Sequence, residues 1–385
     1  MIGALGPLTP SELANRLGMA APTVSAWIKR LEARDQIRKL PHPSDRRSYL
    51  IESTEAGRTA VHAAMPHFVT ALLAVEAELG EELEVVWSLS ALLVLALLAL
   101  GAGGAAPKLV ATIKTPGAPC ASARAADALW VSAFGDGQVV RIDPRRNRVT
   151  TKIRVGAQPC GIVSGAGSLW LNGYGTNSVE RIDPIRRKLV KHIRVGASPF
   201  DVVFDGKAIW TTNNGDGTVS RIDPATNRVT HTVKTGGSVA GLAFAAGSIW
   251  VGTNVGENVF RIDPATRTVT TVPVGQTGPA WFATKGDVVW VASVGAGTAS
   301  RLDPANNSVI ATVKVGTRPV DGAIAPDGTV WIPNMGDGTA TLIDGTTNRV
   351  RGRVRTGPGP FVITEAFGQM WVPSYGGTDV RRFRP

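Results

Sequence analysis

Hydrophobic and polar residues alternate in short runs over most of the chain, and the runs recur with a period of about forty residues. Each unit contains four runs that are rich in β-branched residues and bounded by Gly, Pro, Asn or Asp. One tryptophan marks every unit: Trp130, Trp170, Trp210, Trp250, Trp290, Trp331 and Trp371. Four short strands in such a unit are typical of one propeller blade, and no unit has room for a long amphipathic helix. Residues 107–385 are therefore predicted to form an all-β, seven-bladed propeller.

A basic-apolar-Asp-Pro motif follows each of the first five tryptophans, first as Arg141-Ile142-Asp143-Pro144, and Ile343-Asp344-Gly345 is a degenerate sixth copy. The repeated aspartate is interpreted as a turn former that bonds nearby backbone amides, not as a ring of catalytic carboxylates. The two ends of the repeat are also informative. The run 109–113 precedes the first unit, and the last unit stops after its third run, 380–383. We expect the first run to complete the last blade, which leaves no unpaired edge strand.

This region resembles the YVTN-repeat and virginiamycin B lyase-like propellers, whose units read P-G-x-A, L-W-V, R-I-D-P and a strand that ends in V-G. For the lyases, the resemblance implies histidine and glutamate near the central channel with a divalent metal. The only propeller histidines, His192 and His231, lie in fourth-strand runs, which we place at the rim. No HExxH, GxSxG or P-loop is present. We therefore predict no enzyme, no catalytic residues, no metal and no cofactor, with lyase activity as a remaining alternative.

The blades differ from one another in the loop after each tryptophan and at the start of each inner strand. A ligand or peptide could bind where aromatic, amide and acidic side chains gather around one mouth. The alternative is an unselected loop surface. The predicted ligand face comprises Phe134, Asn172, Tyr174, Asp201, Asn213, Asn214, Asn254, Trp281, Asp321, Asn334 and Tyr375.

The two cysteines of the chain, Cys120 and Cys160, share one repeat position in neighbouring blades. Near the propeller axis such positions can approach disulfide distance. Two buried free thiols are nevertheless the expectation, with the disulfide as the alternative.

The N-terminal residues follow a different pattern. Thr9-Pro10-Ser11-Glu12 is a capping box, and apolar residues at helical spacing follow it. A second helix is predicted from Pro22, and the two helices form a helix-turn-helix. The runs 37–40 and 48–51 then predict two strands on either side of a basic loop, which is the arrangement of a wing.

This stretch resembles the MarR family of winged-helix regulators in Pro22-Thr23-Val24-Ser25, Arg30-Leu31-Glu32, Asp45-Arg46-Arg47 and Thr54-Glu55-Ala56-Gly57-Arg58. The resemblance implies double-stranded DNA as the partner. The residues expected to contact it are Pro22, Thr23, Ser25, Lys29, Arg30, Arg46 and Arg47. The upstream helix with which family members dimerise is expected to be missing, so a homodimer would form through residues 59–100 or elsewhere. A degenerate winged helix without DNA affinity is the alternative.

Val85 to Pro107 contains no charged residue, and its apolar character runs all the way round a helix. We interpret residues 85–106 as a single-pass signal anchor, with a buried helix or a fusion with a secreted propeller as alternatives. The acidic flank before this segment gives no support from the positive-inside rule. Residues 1–84 hold nine Lys/Arg against eleven Asp/Glu, so the net charge of +11 comes from the propeller region. That excess of basic residues either forms a solvated outer surface or attracts anionic polymers or lipid headgroups.

These patterns predict a multidomain chain with a small α+β winged helix (1–84), a transmembrane helix (85–106) and the propeller (107–385). The function hypothesis is a membrane-anchored transcriptional regulator with a cytoplasmic N-terminus. Its extracytoplasmic propeller would sense an unknown small molecule, peptide or envelope component. The alternatives are an extracytoplasmic scaffold with a vestigial winged helix, a lyase-like enzyme, and a soluble cytoplasmic protein.

Overall fold

The computed structural model divides into two compact units, Met1–Ala106 and Pro107–Pro385. It describes residues 9–17, 21–33, 35–42, 45, 48–54 and 106–385. Within these ranges no helix has both the length and the hydropathy needed to cross a membrane. The predicted membrane helix lies, up to residue 105, outside the described residues.

The N-terminal unit contains two helices and a hairpin: α1 (Pro10–Leu17), α2 (Ala21–Ala33), β1 (Ile37–Pro41) and β2 (Tyr49–Ser53). The predicted capping box is confirmed, because the backbone N–H of Glu12 donates to Thr9 Oγ1 and the Thr9 N–H donates to Glu12 Oε2. The predicted hairpin is also confirmed, since β1 and β2 pair antiparallel from Ile37 opposite Ser53 to Pro41 opposite Tyr49.

The second unit is a ring of seven four-stranded antiparallel sheets, as predicted. Blades 1 to 3 comprise β4 (Pro119–Ala125), β5 (Ala128–Ala133), β6 (Gln138–Asp143), β7 (Arg148–Arg154); β8 (Pro159–Gly165), β9 (Ser168–Gly173), β10 (Ser178–Asp183), β11 (Lys188–Arg194); and β12 (Pro199–Phe204), β13 (Ile209–Asn213), β14 (Thr218–Asp223), β15 (Arg228–Lys234). Blades 4 and 5 comprise β16 (Leu242–Ala245), β17 (Ser248–Val251), β18 (Asn258–Ile262), β19 (Val269–Pro273); and β20 (Pro279–Lys285), β21 (Val288–Ser293), β22 (Thr298–Asp303), β23 (Ser308–Lys314). Blades 6 and 7 comprise β24 (Ala323–Ile324), β25 (Thr329–Asn334), β26 (Thr339–Asp344), β27 (Arg349–Arg355); and β28 (Thr364–Ala366), β29 (Gln369–Pro373), β30 (Asp379–Arg384) with β3 (Lys108–Lys114). A short 3₁₀ turn, Phe134–Asp136, follows β5.

The ring closes as the ends of the repeat predicted. Strand β3 pairs antiparallel with β30 and becomes the outer strand of blade 7. At the inner edge, Ser122 Oγ of blade 1 donates to Thr364 Oγ1 of blade 7 at 2.9 Å. Every sheet is completed by strands from within residues 108–384, so the propeller has the connections of an independent folding unit.

The seven repeated tryptophans are fully buried between blades, which confirms their prediction as core residues. Four of them also carry an arginine side chain over the ring, as Arg181 does over Trp170 with 4.9 Å to the ring centroid. Truncation of one such buried ring costs about 3–5 kcal/mol in a typical core. The tryptophan period is therefore a packing signal and carries no information about a ligand.

The repeated aspartates form turns, as predicted. Asp143 Oδ1, for example, accepts the backbone N–H groups of Arg145 and Arg146 at 2.8 and 3.1 Å. These backbone hydrogen bonds hold the pKa of Asp143 below its usual range. The same side-chain-to-amide bond occurs at Asp183, Asp223, Asp263, Asp303 and Asp344.

The arginine of the repeated motif joins a blade to the next blade. Arg181 Nη1 donates to Asn227 Oδ1 and to the Pro224 carbonyl of blade 3, both at 2.8 Å. We call this bond between an arginine and the asparagine of the following blade the clasp. Equivalent clasps join Arg261 to Asn307, Arg301 to Asn348 and Arg382 to Asn147.

The clasp is missing where the next blade has an arginine at the asparagine position. Blade 2 has Arg187 there, and Arg141 of blade 1 instead pairs with Asp127 at 2.8 Å. Blade 4 has Arg267 there, and Arg221 of blade 3 bonds Thr230 within its own sheet. At these two places, the clasp thus depends on one side chain in a turn.

Candidate functional site

Helix α2 presents one face to the core of the N-terminal unit and another to solvent. Val24 and Ile28 are buried with Ala14, Ile37 and Ile51, which fixes α2 against α1 and the hairpin. Ser25, Lys29 and Glu32, at helical spacing, are exposed, so α2 has one buried and one solvent-exposed side.

Three of the predicted DNA contacts lie on the solvent face of α2. Pro22, Ser25 and Lys29 are exposed and share one side of the helix through their spacing of three and four residues. Thr23 and Arg30 also lie in α2, and Arg46 and Arg47 lie outside the described residues. The proposed roles of all seven residues stay predictions.

The hairpin that follows α2 is held by ion pairs. Lys39 Nζ lies 2.6 Å from Glu32 Oε2 of α2 and 5.1 Å from the centre of the Tyr49 ring. The hydrogen bond to Glu32 raises the pKa of Lys39. Arg38 pairs with Glu52 across the two strands, with Nε 2.6 Å from Oε2. These contacts set the direction in which the wing leaves the helix pair.

In the propeller, aromatic side chains close one mouth of the central channel. The rings of Phe200 and Phe361 each lie close to Trp281, with centroids 5.5 and 5.0 Å apart, and these three residues come from blades 3, 7 and 5. Tyr174 packs on Phe200, and Tyr375 packs on Phe361 and Phe134. We call this set the aromatic mouth: Phe134, Tyr174, Phe200, Trp281, Phe361 and Tyr375. Since its central rings touch across the axis, it covers this end of the channel.

The predicted amides take a different role from the aromatic residues. Asn172, Asn213 and Asn334 are fully buried. Asn213 Nδ2 bonds Thr218 and Ser220, and Asn334 Nδ2 bonds Thr339 and Thr341. Asn214 Nδ2 donates to the Val239 carbonyl, and Asn254 is exposed. Asn213 and Asn334 thus support turns of their own blades, whereas Asn172 Nδ2 donates to the Pro199 carbonyl of the next blade. We leave these buried amides out of the ligand site proposed below.

The two predicted acids lie deeper in the channel. The cavity there measures about 480 Å³ and is lined by inner strands of all seven blades. Asp201 Oδ2 accepts the Leu242 N–H at 2.7 Å, and Asp321 Oδ1 accepts the Phe282 N–H at 3.0 Å. Each aspartate therefore joins two neighbouring blades and also faces the cavity.

Burial in this cavity raises the pKa of Asp201 to about 6. Burial, together with the negative charge of Asp201, raises the pKa of Asp321 well above its usual value. Lys285, the last residue of β20, and Glu365 of β28 also line the cavity and are exposed. The channel is thus a cavity with a mixed polar and apolar lining, two acidic groups and an aromatic cover at one end.

The prediction of two free thiols was wrong. Cys120 and Cys160 form a disulfide with their Cα atoms 5.1 Å apart. They occupy equivalent positions in β4 and β8, and the inner strands of neighbouring blades converge near the axis. This bond joins blades 1 and 2, which are one of the pairs without a clasp.

A profile of the MarR family matches residues 1–49. The transcriptional repressor NicR of Pseudomonas putida is 33% identical to this chain over 61 residues, which are 16% of this chain and 39% of that repressor. Residues 1–49 are a MarR-family domain. The chain spans well under half of the repressor's length, and the MarR-family domain is a small part of this chain.

The propeller resembles solved structures of low sequence identity. A streptogramin B lyase has a TM-score of 0.63 at 14% identity, and 72% of this chain covers 97% of it. The virginiamycin B lyase of Staphylococcus aureus has the same score and identity, and 73% of this chain covers all of it. Hydrazine synthase of Kuenenia stuttgartiensis has a TM-score of 0.61 at 17% identity, with 70% and 96% covered. At these identities the likeness shows the fold alone, as the sequence resemblance predicted.

One His–Glu contact does occur in the propeller, between His192 Nδ1 and Glu180 Oε2 of blade 2. Glu180 is fully buried on β10 and also accepts a hydrogen bond from Ser178 at 2.8 Å. Burial raises its pKa, against the opposing effects of Ser178 and His192. The pair lies on the outer two strands, away from the channel. Within the described ranges no three His, Cys, Asp or Glu side chains are grouped to hold a metal ion.

Sequence reasoning missed most of the cavity lining. Phe200 and Phe361 start inner strands as Trp281 does, so the comparison of equivalent repeat positions points to them. The glycines and alanines that line the channel carry no such signal. The channel therefore contains both predicted and unpredicted site residues.

Proposed function

We propose that the chain is a membrane-anchored transcriptional regulator. Its MarR-family domain binds DNA in the cytoplasm, and its propeller lies outside the membrane and binds a ligand. The observation that carries the DNA-binding part is the match of residues 1–49 to the MarR family, together with the packing that leaves one face of α2 exposed. We infer that Pro22, Thr23, Ser25, Lys29 and Arg30 meet the major groove and that Arg46 and Arg47 reach the minor groove.

The disulfide supports an extracytoplasmic propeller. Disulfides persist in oxidising compartments and are rare in the cytoplasm. A DNA-binding domain in the same chain has its target inside the cell. An uncharged segment that precedes the propeller in the sequence, residues 85–106, reconciles these requirements if it spans the membrane. We therefore place the N-terminus in the cytoplasm and the propeller outside.

The channel is the proposed ligand site. Its volume is within the range of small-molecule pockets, and Asp201 and Asp321 supply fixed acidic groups in a lining of polar and apolar side chains. Tyr375 and Trp281 belong to the aromatic mouth, so the ligand enters from the end at which Lys285 and Glu365 lie. Dimerisation would couple the ligand to DNA, since paired winged helices read a two-fold site better than one.

Two other functions remain in competition with this proposal. An extracytoplasmic scaffold with a vestigial winged helix would keep the propeller and lose DNA affinity. A lyase-like enzyme would need a catalytic set, and the contact of His192 with Glu180 lies away from the channel. The fold likeness to lyases supplies neither a substrate nor a mechanism for this chain.

The regulator proposal is tested by selection from random duplex DNA with the full-length chain in detergent. We expect a two-fold sequence to be enriched. Lys29→Gln should weaken binding of the selected duplex about fivefold and reduce the slope of log affinity against log salt by about one. The matched control is Lys234→Gln, which removes the same charge from the propeller and should leave binding unchanged. If no sequence is enriched at low salt, the regulator proposal is refuted.

A further inference from the structure

Positive charge is distributed unevenly around the outside of the propeller. Outer strands and the turns before them carry twenty Lys or Arg residues, of which blades 3, 4 and 5 hold four: Arg228, Lys234, Arg267 and Lys314. The other sixteen lie on blades 6, 7, 1 and 2, which are consecutive around the ring. We call these sixteen the basic rim: Arg349, Arg351, Arg353, Arg355, Lys108, Lys114, Arg145, Arg146, Arg148, Lys152, Arg154, Arg186, Arg187, Lys188, Lys191 and Arg194.

The basic rim forms few ion pairs, although an aspartate of the neighbouring strand stands opposite Lys114, Arg148, Lys188 and Arg349. No Asp or Glu occurs in its segments, residues 107–115, 144–155, 184–195 and 345–356. Three of its arginines reach a carboxylate elsewhere: Arg146 with Asp143, Arg186 with Asp183, and Arg351 with Asp327. The remaining thirteen have no ion pair among the residues that the structure describes.

The cations of blades 7, 1 and 2 form one continuous surface, and blade 6 is the next blade around the ring. The outer strand of blade 7 contacts that of blade 1, which in turn contacts that of blade 2. All sixteen side chains are exposed except that of Arg351, which is half-buried. A surface of this extent and one sign attracts a polyanionic partner at a distance.

Large apolar side chains are exposed on the same half of the ring. The relative exposures are 73% for Ile185, 53% for Val190, 46% for Leu109, 44% for Val350 and 39% for Val110. Outer strands of the opposite half expose one such residue, Ile310. Cations with interspersed apolar groups suit the headgroup region of a bilayer better than a soluble polyanion, since a polyanion offers nothing to the apolar side chains.

We propose that the basic rim docks the propeller edge-on onto a bilayer that contains anionic lipids. The position of the chain's entry into the ring agrees with this orientation. The uncharged segment 85–106 ends two residues before Lys108, which starts the outer strand of blade 7 in the middle of the basic rim. The orientation rests on the proposed membrane anchor, whereas the lipid affinity of the rim does not.

Edge-on docking has a consequence for the ligand site. It places the axis of the ring parallel to the membrane surface. Neither end of the channel is then covered by the bilayer, so a ligand reaches Asp201 and Asp321 from the aqueous phase. A propeller that rested on one of its flat faces would have one mouth of the channel blocked.

The rim is tested with residues 107–385, which complete all seven sheets. Flotation with phosphatidylcholine vesicles is compared with and without phosphatidylglycerol. One cation near an anionic surface contributes about fivefold to binding. We expect the variant R148Q/K152Q/K191Q/R194Q to lose at least roughly tenfold in affinity for the anionic vesicles.

The matched control, R228Q/K234Q/R267Q/K314Q, removes the same charge from the opposite half and should change affinity less than about twofold. A second variant, I185S/V190S, should weaken vesicle binding and leave heparin binding unchanged. Unchanged thermal melts will show that both charge variants and I185S/V190S fold. Equal losses in the two charge variants would overturn the proposal, as would binding to heparin that exceeds binding to vesicles.

Because these fragments lack residues 1–106, the outcome is independent of the anchor and of DNA binding. Lack of vesicle binding by residues 107–385 would refute the rim and leave the regulator proposal standing. Binding with the expected pattern would support the rim even if no operator sequence exists.

Discussion

The clasp gives the sharpest prediction about propeller stability. Asn227→Ala removes the side-chain acceptor from Arg181, whose guanidinium is half-buried between blades 2 and 3. A hydrogen bond to a charged group contributes about 1.5–3 kcal/mol. Arg181 keeps the Pro224 carbonyl, so the lower end of that range applies.

The backbone conformation of residue 227 makes a smaller, additional contribution to the destabilisation by Asn227→Ala. Asn227 has φ of +57°, in the left-handed region that asparagine adopts more readily than alanine. We expect Asn227→Ala to lower the free energy of unfolding by about 2 kcal/mol in total. For a domain of this size, that loss lowers the melting temperature by roughly 4 °C.

The chain offers a reverse experiment. Arg267 occupies the same turn position in blade 4 with φ of +67°, and Arg221 opposite it makes no clasp. Arg267→Asn should supply the missing acceptor and raise the melting temperature by about 2 °C. Arg187→Ala is the control, because it changes the same turn position in blade 2 without breaking a clasp.

Thermal unfolding of residues 107–385 is followed by tryptophan fluorescence, since all seven repeated tryptophans are buried between blades. We expect opposite shifts of the melting temperature for Asn227→Ala and Arg267→Asn. A stabilising role of the clasp is refuted if the two variants shift in the same direction, or if Arg187→Ala lowers the melting temperature as much as Asn227→Ala does.

Two further predictions concern the channel. Cys160→Ser removes the disulfide to Cys120 and should lower the free energy of unfolding by roughly 4 kcal/mol, because the unfolded chain gains entropy; thermal unfolding measures this loss. Alkylation of the native chain without reductant should label neither cysteine. The raised pKa of Asp201, about 6, means that the folded state binds this proton more tightly than the unfolded chain. The stability from this group is therefore complete below pH 4 or so and is lost as pH rises through about 6. The melting temperature should therefore fall less steeply with rising pH in Asp201→Asn than in the unchanged chain. An unchanged dependence of melting temperature on pH would contradict the raised pKa of Asp201.

The regular parts of the fold were predictable because they repeat. Seven tryptophans at one spacing specify the number of blades, and the incomplete last unit predicts that β3 closes the ring. In the MarR-family domain, Thr9 and Glu12 predict the start of α1 because a capping box depends on adjacent residues alone. Such signals are local, and a single sequence contains them.

The contacts between blades were harder to predict because they join residues about forty positions apart. The choice between thiols and a disulfide for Cys120 and Cys160 depends on how closely two inner strands approach. The clasp likewise depends on whether Asn227 lies within reach of Arg181 in another blade. Asn213 and Asn334 looked like ligand groups in the sequence, but a buried amide that supports a turn has the same sequence pattern as an exposed one that binds.

The central claim is that one chain places a MarR-family domain and a propeller on opposite sides of a membrane. Protease treatment of intact cells, followed by detection of each end of the chain, tests it directly. We expect the propeller to be digested or released while the N-terminal domain survives. Protection of both ends, with the full-length chain in the soluble fraction, would contradict it.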